Sequence, residues 1–150
     1  KSADATWDAA GSKFRLNYGG TSSRNPDVSS SSYKSDGYND IAYANKGATL
    51  NMAVTWGFSS GTTISERDTT FNTYYSFTTT GASGMYDVQS VMTHEFGHWF
   101  KLLDLSGIIS PSWCGWSFES TMCGSISTSE TRKRSLETDD KDGIKSIYGT

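Results

Sequence analysis

The sequence predicts an α+β fold in a single domain, and three observations carry that expectation. The first half of the chain holds short runs in which apolar and polar residues alternate with the period of a strand. The second half holds two segments whose apolar residues recur every three to four positions, as on one face of a helix. The length of 150 residues, with 35% hydrophobic and 13% aromatic content, is enough to bury one core, so residues 1–150 are taken as one domain.

Along the chain, residues 3–10 are helix formers and read as the end of a helix stopped by Gly11. Phe14, Leu16 and Tyr18 alternate with Arg15 and Asn17, which predicts a strand ending at Gly19-Gly20. Residues 21–36 contain eight Ser or Thr, one Pro and two Asp, and read as a loop. A short strand is expected at Ile41-Ala42-Tyr43-Ala44. A half-buried strand is expected where Leu50, Met52 and Val54 alternate with Asn51, Ala53 and Thr55. Another should run from Thr62 to Phe71, with Ile64, Glu66 and Asp68 on one face and Ser65, Arg67 and Thr69 on the other. Thr78 to Gly84 is turn material.

From Val88 the period changes. Val91, Met92, Phe96, Trp99, Phe100, Leu102 and Leu103 are spaced near 3.6, and Asp87 stands where an N-cap carboxylate would accept an amide of the first turn. Residues 105–134 read as loop. A last helix is expected from about Asp139 to Tyr148, with Thr138 as its cap and Ile144, Ile147 and Tyr148 buried. Gly143 inside that helix costs about 1 kcal/mol relative to Ala, which predicts a close helix contact.

Composition narrows the function. The net charge is −3, and the only basic run, Arg132-Lys133-Arg134, is too short to argue for nucleic acid and reads as a solvated loop. No stretch approaches 18 apolar residues, so no membrane span is expected. The chain starts at Lys1 with neither Met nor a signal peptide, as a processed form or a fragment would. The Ser-, Thr-, Asn-, Gly- and Tyr-rich N-terminal third fits an exported protein. In that setting Cys114 and Cys123, nine residues apart, are expected to form a disulfide; two buried thiols are the alternative.

Residues 94–98 read His-Glu-Phe-Gly-His. On a helix, positions i and i+4 share a face one turn apart, so the two imidazoles can reach one metal ion. Glu95 would lie close without binding and could take a proton from a water that the metal polarises. A catalytic zinc takes three protein ligands and keeps one position open. Asp104, six residues after His98, can supply the third if the helix ends near Trp99–Lys101 and the chain turns back. Glu119 and Glu130 are the rival donors.

The run His94-Glu95-Phe96-Gly97-His98-Trp99-Phe100-Lys101-Leu102-Leu103-Asp104 resembles the extended zinc motif of the metzincin metallopeptidases, with Asp as third ligand as in snapalysin-like members. Ser120-Thr121-Met122-Cys123-Gly124 resembles the Met-turn of that clan, and residues 139–149 resemble the end of matrixin catalytic domains. The resemblance covers roughly residues 36–149. It implies a twisted, mostly parallel sheet with an antiparallel edge strand, packed on two to three helices. It also implies a secreted zinc endopeptidase, most simply a monomer, acting on peptide or protein substrates with Glu95 as general base. Met122 would lie under the zinc. Leu50, Asn51, Met52, Ala53 and Val54 would pair with substrate as the edge strand. Gly124 to Ser135 would wall the pocket past the scissile bond, and Asp139 or Asp140 would brace the Met-turn.

The sequence also departs from the clan. Lys101 stands where metzincins usually have Gly, and a positive φ there would cost on the order of 1 kcal/mol. Both histidines belong to the motif, so the second, structural zinc of many matrixins is not expected. Calcium is open, with Asp and carbonyl donors in loops 19–40 and 57–68 but no assignable ligand set. The clan's first strand is expected to be missing. Two other functions fit the same residues: an inactive metzincin-like domain that binds peptide or protein, and a gluzincin-type peptidase with a Glu ligand.

Overall fold

The computed structural model describes residues 2–28, 31, 33–49, 51–61, 63–105 and 120–150. Its elements, in chain order, are α1 (Ser2–Asp8), β1 (Ile41–Ala44), β2 (Ala53–Ser60), β3 (Thr63–Asn72), β4 (Phe77–Thr78), β5 (Tyr86–Asp87), α2 (Val88–Trp99), a 3-10 turn (Arg132–Arg134) and α3 (Thr138–Tyr148). This is a mixed α/β chain with a small sheet and three helices. Gly20–Tyr75 forms one compact unit, and the residues up to Gly19 with Ser76–Thr150 form another. No described helix is long and apolar enough to cross a membrane.

In the Gly20–Tyr75 unit the sheet order is β1-β3-β2. β1 runs parallel to β3, pairing Ile41 with Thr69 and Ala44 with Asn72. β2 is an antiparallel edge strand, with Ala53 opposite Phe71 and an irregularity between Phe58 and Ser59. It starts later than the sequence suggests and continues past Thr55, because Trp56 and Phe58 extend the alternation of Val54. Gly57 is required within it, since a Cβ there would lie 2.1 Å from the Glu66 carbonyl oxygen.

The expected two-faced alternation of β3 does not hold beyond its first turn of residues. Glu66 to Asn72 are all buried, although six of the seven are polar. Burial of polar groups is tolerable only when they are hydrogen-bonded, and here the loops before the strand supply the partners. Glu66 accepts from the Ser35 hydroxyl at 2.6 Å and from the amides of Asp36 and Gly37 at 3.0 and 2.5 Å. Asp68 accepts from Tyr33 Oη at 2.9 Å and the Asp40 amide at 2.6 Å. Asn72 holds the segment before β2, accepting from the Lys46 amide and donating to the Gly47 carbonyl. The carboxylates of these loops, considered above for calcium, are thus engaged with protein groups. Asp40 pairs with Arg24 and Asp27 with Lys46.

The other unit is built around rings. Trp7 of α1 is 1% exposed, and its indole N–H donates to the Thr93 carbonyl of α2 at 2.7 Å. It meets Phe100 edge-on at 5.0 Å, and Phe14 joins Phe100 to Tyr148 with centroids 4.9 Å apart in both pairs. Burying one ring of this size contributes about 4–6 kcal/mol. The strand expected at Phe14–Tyr18 is absent. Phe14 is drawn into this cluster, Tyr18 points to solvent, and among the described residues no strand pairs with this segment.

α2 begins as expected at Asp87, whose carboxylate accepts from the Ser90 amide at 2.8 Å. Arg134 grips the same carboxylate at 3.0 and 2.5 Å, so this member of the basic triplet is a partner of the helix cap. Burial opposes the charge of Asp87, yet Arg134 and the Ser90 amide hold its carboxyl below the usual value of 3.8. A depressed folded-state pKa means that the stabilisation is complete above the unfolded value and is lost as pH falls through the folded one. Arg134→Gln is expected to lower stability by about 1–3 kcal/mol at neutral pH and to flatten its decline below about pH 4. Urea titrations across pH check this; an unchanged acid slope would show that the pair is not its source.

α3 starts one residue earlier than predicted. Glu137 is its N-cap in place of Thr138, and the Glu137 amide donates to Asp140 at 3.0 Å. The close contact expected at Gly143 is with Leu102, in the segment after α2, whose Cδ2 would lie 3.0 Å from a Cβ at 143.

Candidate metal centre

The site begins with the end of α2. Lys101 has φ 70°, the left-handed conformation that costs a non-glycine residue about 1 kcal/mol. Two backbone bonds offset it. Leu102 N–H donates to the Gly97 carbonyl and Lys101 N–H to the His98 carbonyl, both at 3.0 Å. This pair is the Schellman stop, achieved here without glycine. The turn brings the Leu102 carbonyl back over the helix, where it lies 2.9 Å from His98 Nδ1. The other histidine is fixed in the same way from further away, with the Thr121 carbonyl 2.8 Å from His94 Nδ1.

A carbonyl can only accept, so each Nδ1 carries a proton, which leaves Nε2 of each ring as the nitrogen that can bind a metal. The two Nε2 atoms lie 3.1 Å apart. Asp104 Oδ1 stands 3.3 Å from Nε2 of His94 and 3.6 Å from Nε2 of His98. Three lone-pair donors facing one another repel unless a cation lies between them. Tetrahedral zinc with bonds of 2.0–2.1 Å has ligand–ligand edges of about 3.3–3.4 Å, close to these three distances. The chemistry and spacing of the donor set therefore fit a zinc ion. Burial, the charge His98 would carry and the ammonium of Lys133 push the His94 pKa down to about 3, against the bond to Thr121. The ring is thus neutral and ready to bind metal at ordinary pH.

The floor of the site is the 120–123 turn. Met122 is 2% exposed, and its sulfur rests on Gly97, between the two histidines in sequence; a Cβ at 97 would lie 2.1 Å from it. Asp140, at the start of α3, accepts from the amides of Thr121 at 3.1 Å and Met122 at 3.2 Å, while the Ser120 hydroxyl reaches Asp139 and Asp140. Of the two acids expected to brace this turn, Asp140 binds its backbone.

No known family model matches this chain, and no curated protein matches it. The reading of the site therefore rests on its own residues.

Glu95 follows His94 on α2, is 5% exposed, and stands outside the converging set. Among the described residues that set is His94, His98 and Asp104 alone. Glu130 is elsewhere, accepting from the Ser127 amide and facing Arg132. Asn51, Met52, Ala53 and Val54 belong to the Gly20–Tyr75 unit, where Asn51, Ala53 and Val54 line a concavity of about 490 Å³ with Asn45, Lys46 and Asn72. Leu50, Cys114 and Glu119 lie outside the described residues; Cys123 is buried and carries no free thiol.

Lys133 is the residue that sequence reasoning missed. Expected in solvent, it is 1% exposed. Its ammonium donates to the Thr121 carbonyl at 3.4 Å and to the Cys123 carbonyl. Burial lowers its pKa to about 8, which leaves it mostly charged at neutral pH. A 3-10 turn has three residues per turn, so its successive side chains face three directions: Arg132 outward, Lys133 inward, Arg134 towards Asp87. Nothing in the triplet itself says which one is turned in.

Proposed function

We propose that this chain is a secreted zinc endopeptidase of the metzincin kind. One observation carries the reading: two imidazoles, each held at Nδ1 by a backbone carbonyl, and the Asp104 carboxylate bring three donor atoms within 3.1–3.6 Å of one another, the spacing of a zinc ligand set. Three ligands leave a fourth position, and the side chain of Asp104 is 45% exposed, so the donor set is not sealed in the core. This favours catalysis over a closed structural site.

Zinc held there supplies Lewis acidity for the attack of water on a peptide carbonyl. The chain supplies the rest. Glu95 takes the proton of the attacking water and passes it to the leaving amine. Glu95 is buried, follows His94 in sequence and is carried by the same helix as both histidines. Met122 and Asp140 keep the floor rigid, so that the histidines do not shift as charge develops.

Elemental analysis with hydrolysis of an unfolded general protein substrate tests the reading. One zinc per chain and cleavage abolished by a chelator are expected. Zinc at one per chain without cleavage would leave a binding domain, and absence of zinc would overturn the proposal.

A further inference from the structure

We propose that Lys133 is a positioning residue of the metal centre: its ammonium bonds the carbonyls on either side of Met122 and thereby holds the acceptor that fixes the His94 ring. The inference rests on the zinc reading above.

A buried lysine needs an explanation. Withdrawing an ammonium from water is expensive; the charges of Glu130, Asp104 and Asp140 favour it from a distance, but among the described residues none of them forms an ion pair with it. An apolar side chain of similar length would fill the same space at lower cost. What the ammonium adds is two directed bonds, to the oxygens of Thr121 and Cys123. The Thr121 oxygen has two lone pairs, and the His94 Nδ1 proton and Lys133 occupy both.

The amide side of the same turn is held by the opposite charge. Asp140 takes the N–H groups of Thr121 and Met122. An anion on the amides and a cation on the carbonyls resist rotation of these peptide planes. Were the Thr121 carbonyl to swing away, the His94 Nδ1–H would lose its acceptor, and Nε2 would lose its aim. Partners of this outer kind change metal affinity by about 10–100-fold.

The test compares zinc affinity by competition with a chelating dye in the parent, Lys133→Met and Arg134→Gln, together with the visible absorption of the cobalt-substituted proteins. Arg134→Gln removes a half-buried ion pair from the 3-10 turn that carries Lys133, without touching residues 120–123. It is expected to lose stability while keeping its zinc Kd and its cobalt spectrum. Lys133→Met is expected to raise the zinc Kd by about 10–100-fold and to shift the cobalt bands, which report ligand geometry and not global stability. A Kd within about two-fold of the parent, with an unchanged spectrum, overturns the inference and leaves the zinc reading intact. Should Lys133→Met fail to fold, Lys133→Gln keeps one donor group and loses the charge. A Kd several-fold above the parent supports the inference, and an unchanged one overturns it. A parent that takes up no zinc overturns both readings.

Discussion

Glu95→Gln is expected to keep one zinc per chain and to lower kcat by about 10²- to 10⁴-fold, the range general acid–base catalysis supplies. Gln matches Glu in shape, so the packing of a residue only 5% exposed is preserved. The proposed metal ligands are other residues, so occupancy should not change. What disappears is the ability to accept a proton. Because that proton moves only as the reaction proceeds, kcat and kcat/KM should fall together while KM holds. Zinc content and turnover measured on the same preparation separate the two effects. Turnover within ten-fold of the parent would assign the proton transfer to another group.

Asp104→Ala should act on the metal instead. Removing one of three protein ligands is expected to raise the zinc Kd by more than the 100-fold upper range seen for outer-shell changes, a loss of at least about 2.8 kcal/mol. The two histidines would remain, each still held through Nδ1, so residual binding and partial recovery of activity at high zinc are expected. Full occupancy at the parent's zinc concentration would mean that the third donor lies elsewhere, with Glu119 and Glu130 the first to replace.

The pairing of His94 with His98 was legible because helix geometry converts sequence distance into position with little freedom, while Asp104 joins them only through the turn at Lys101. Asp87 as cap, α2 itself, β1 and most of β3 followed from the same local rules. The difficulty lay wherever the deciding partner is distant in sequence. Glu66 and Asp68 alternate as if one face were wet, but Tyr33, Ser35 and the 36–40 amides cover it. Phe14, Leu16 and Tyr18 alternate as a strand would, but a strand needs a neighbour, and Phe100 and Tyr148 claim Phe14 first. Lys133 is inside because Thr121 and Cys123 present oxygens to it, a circumstance no composition rule contains. Lys101 shows the converse case: the expected penalty is present as φ 70°, and the helix stop forms regardless.

The stop at Lys101 also bears on the order in which the centre assembles. All three proposed metal donors lie within eleven consecutive residues, His94 to Asp104, so closing that loop costs little chain entropy and needs no long-range contact. The groups that tune it, Thr121, Lys133 and Asp140, arrive from far along the chain. A zinc ion would therefore meet a nascent site early in folding, bind it loosely, and be gripped more tightly as the later segments dock. Metal added to a partly unfolded chain should then act as a folding nucleus around α2, as well as a ligand of the finished protein.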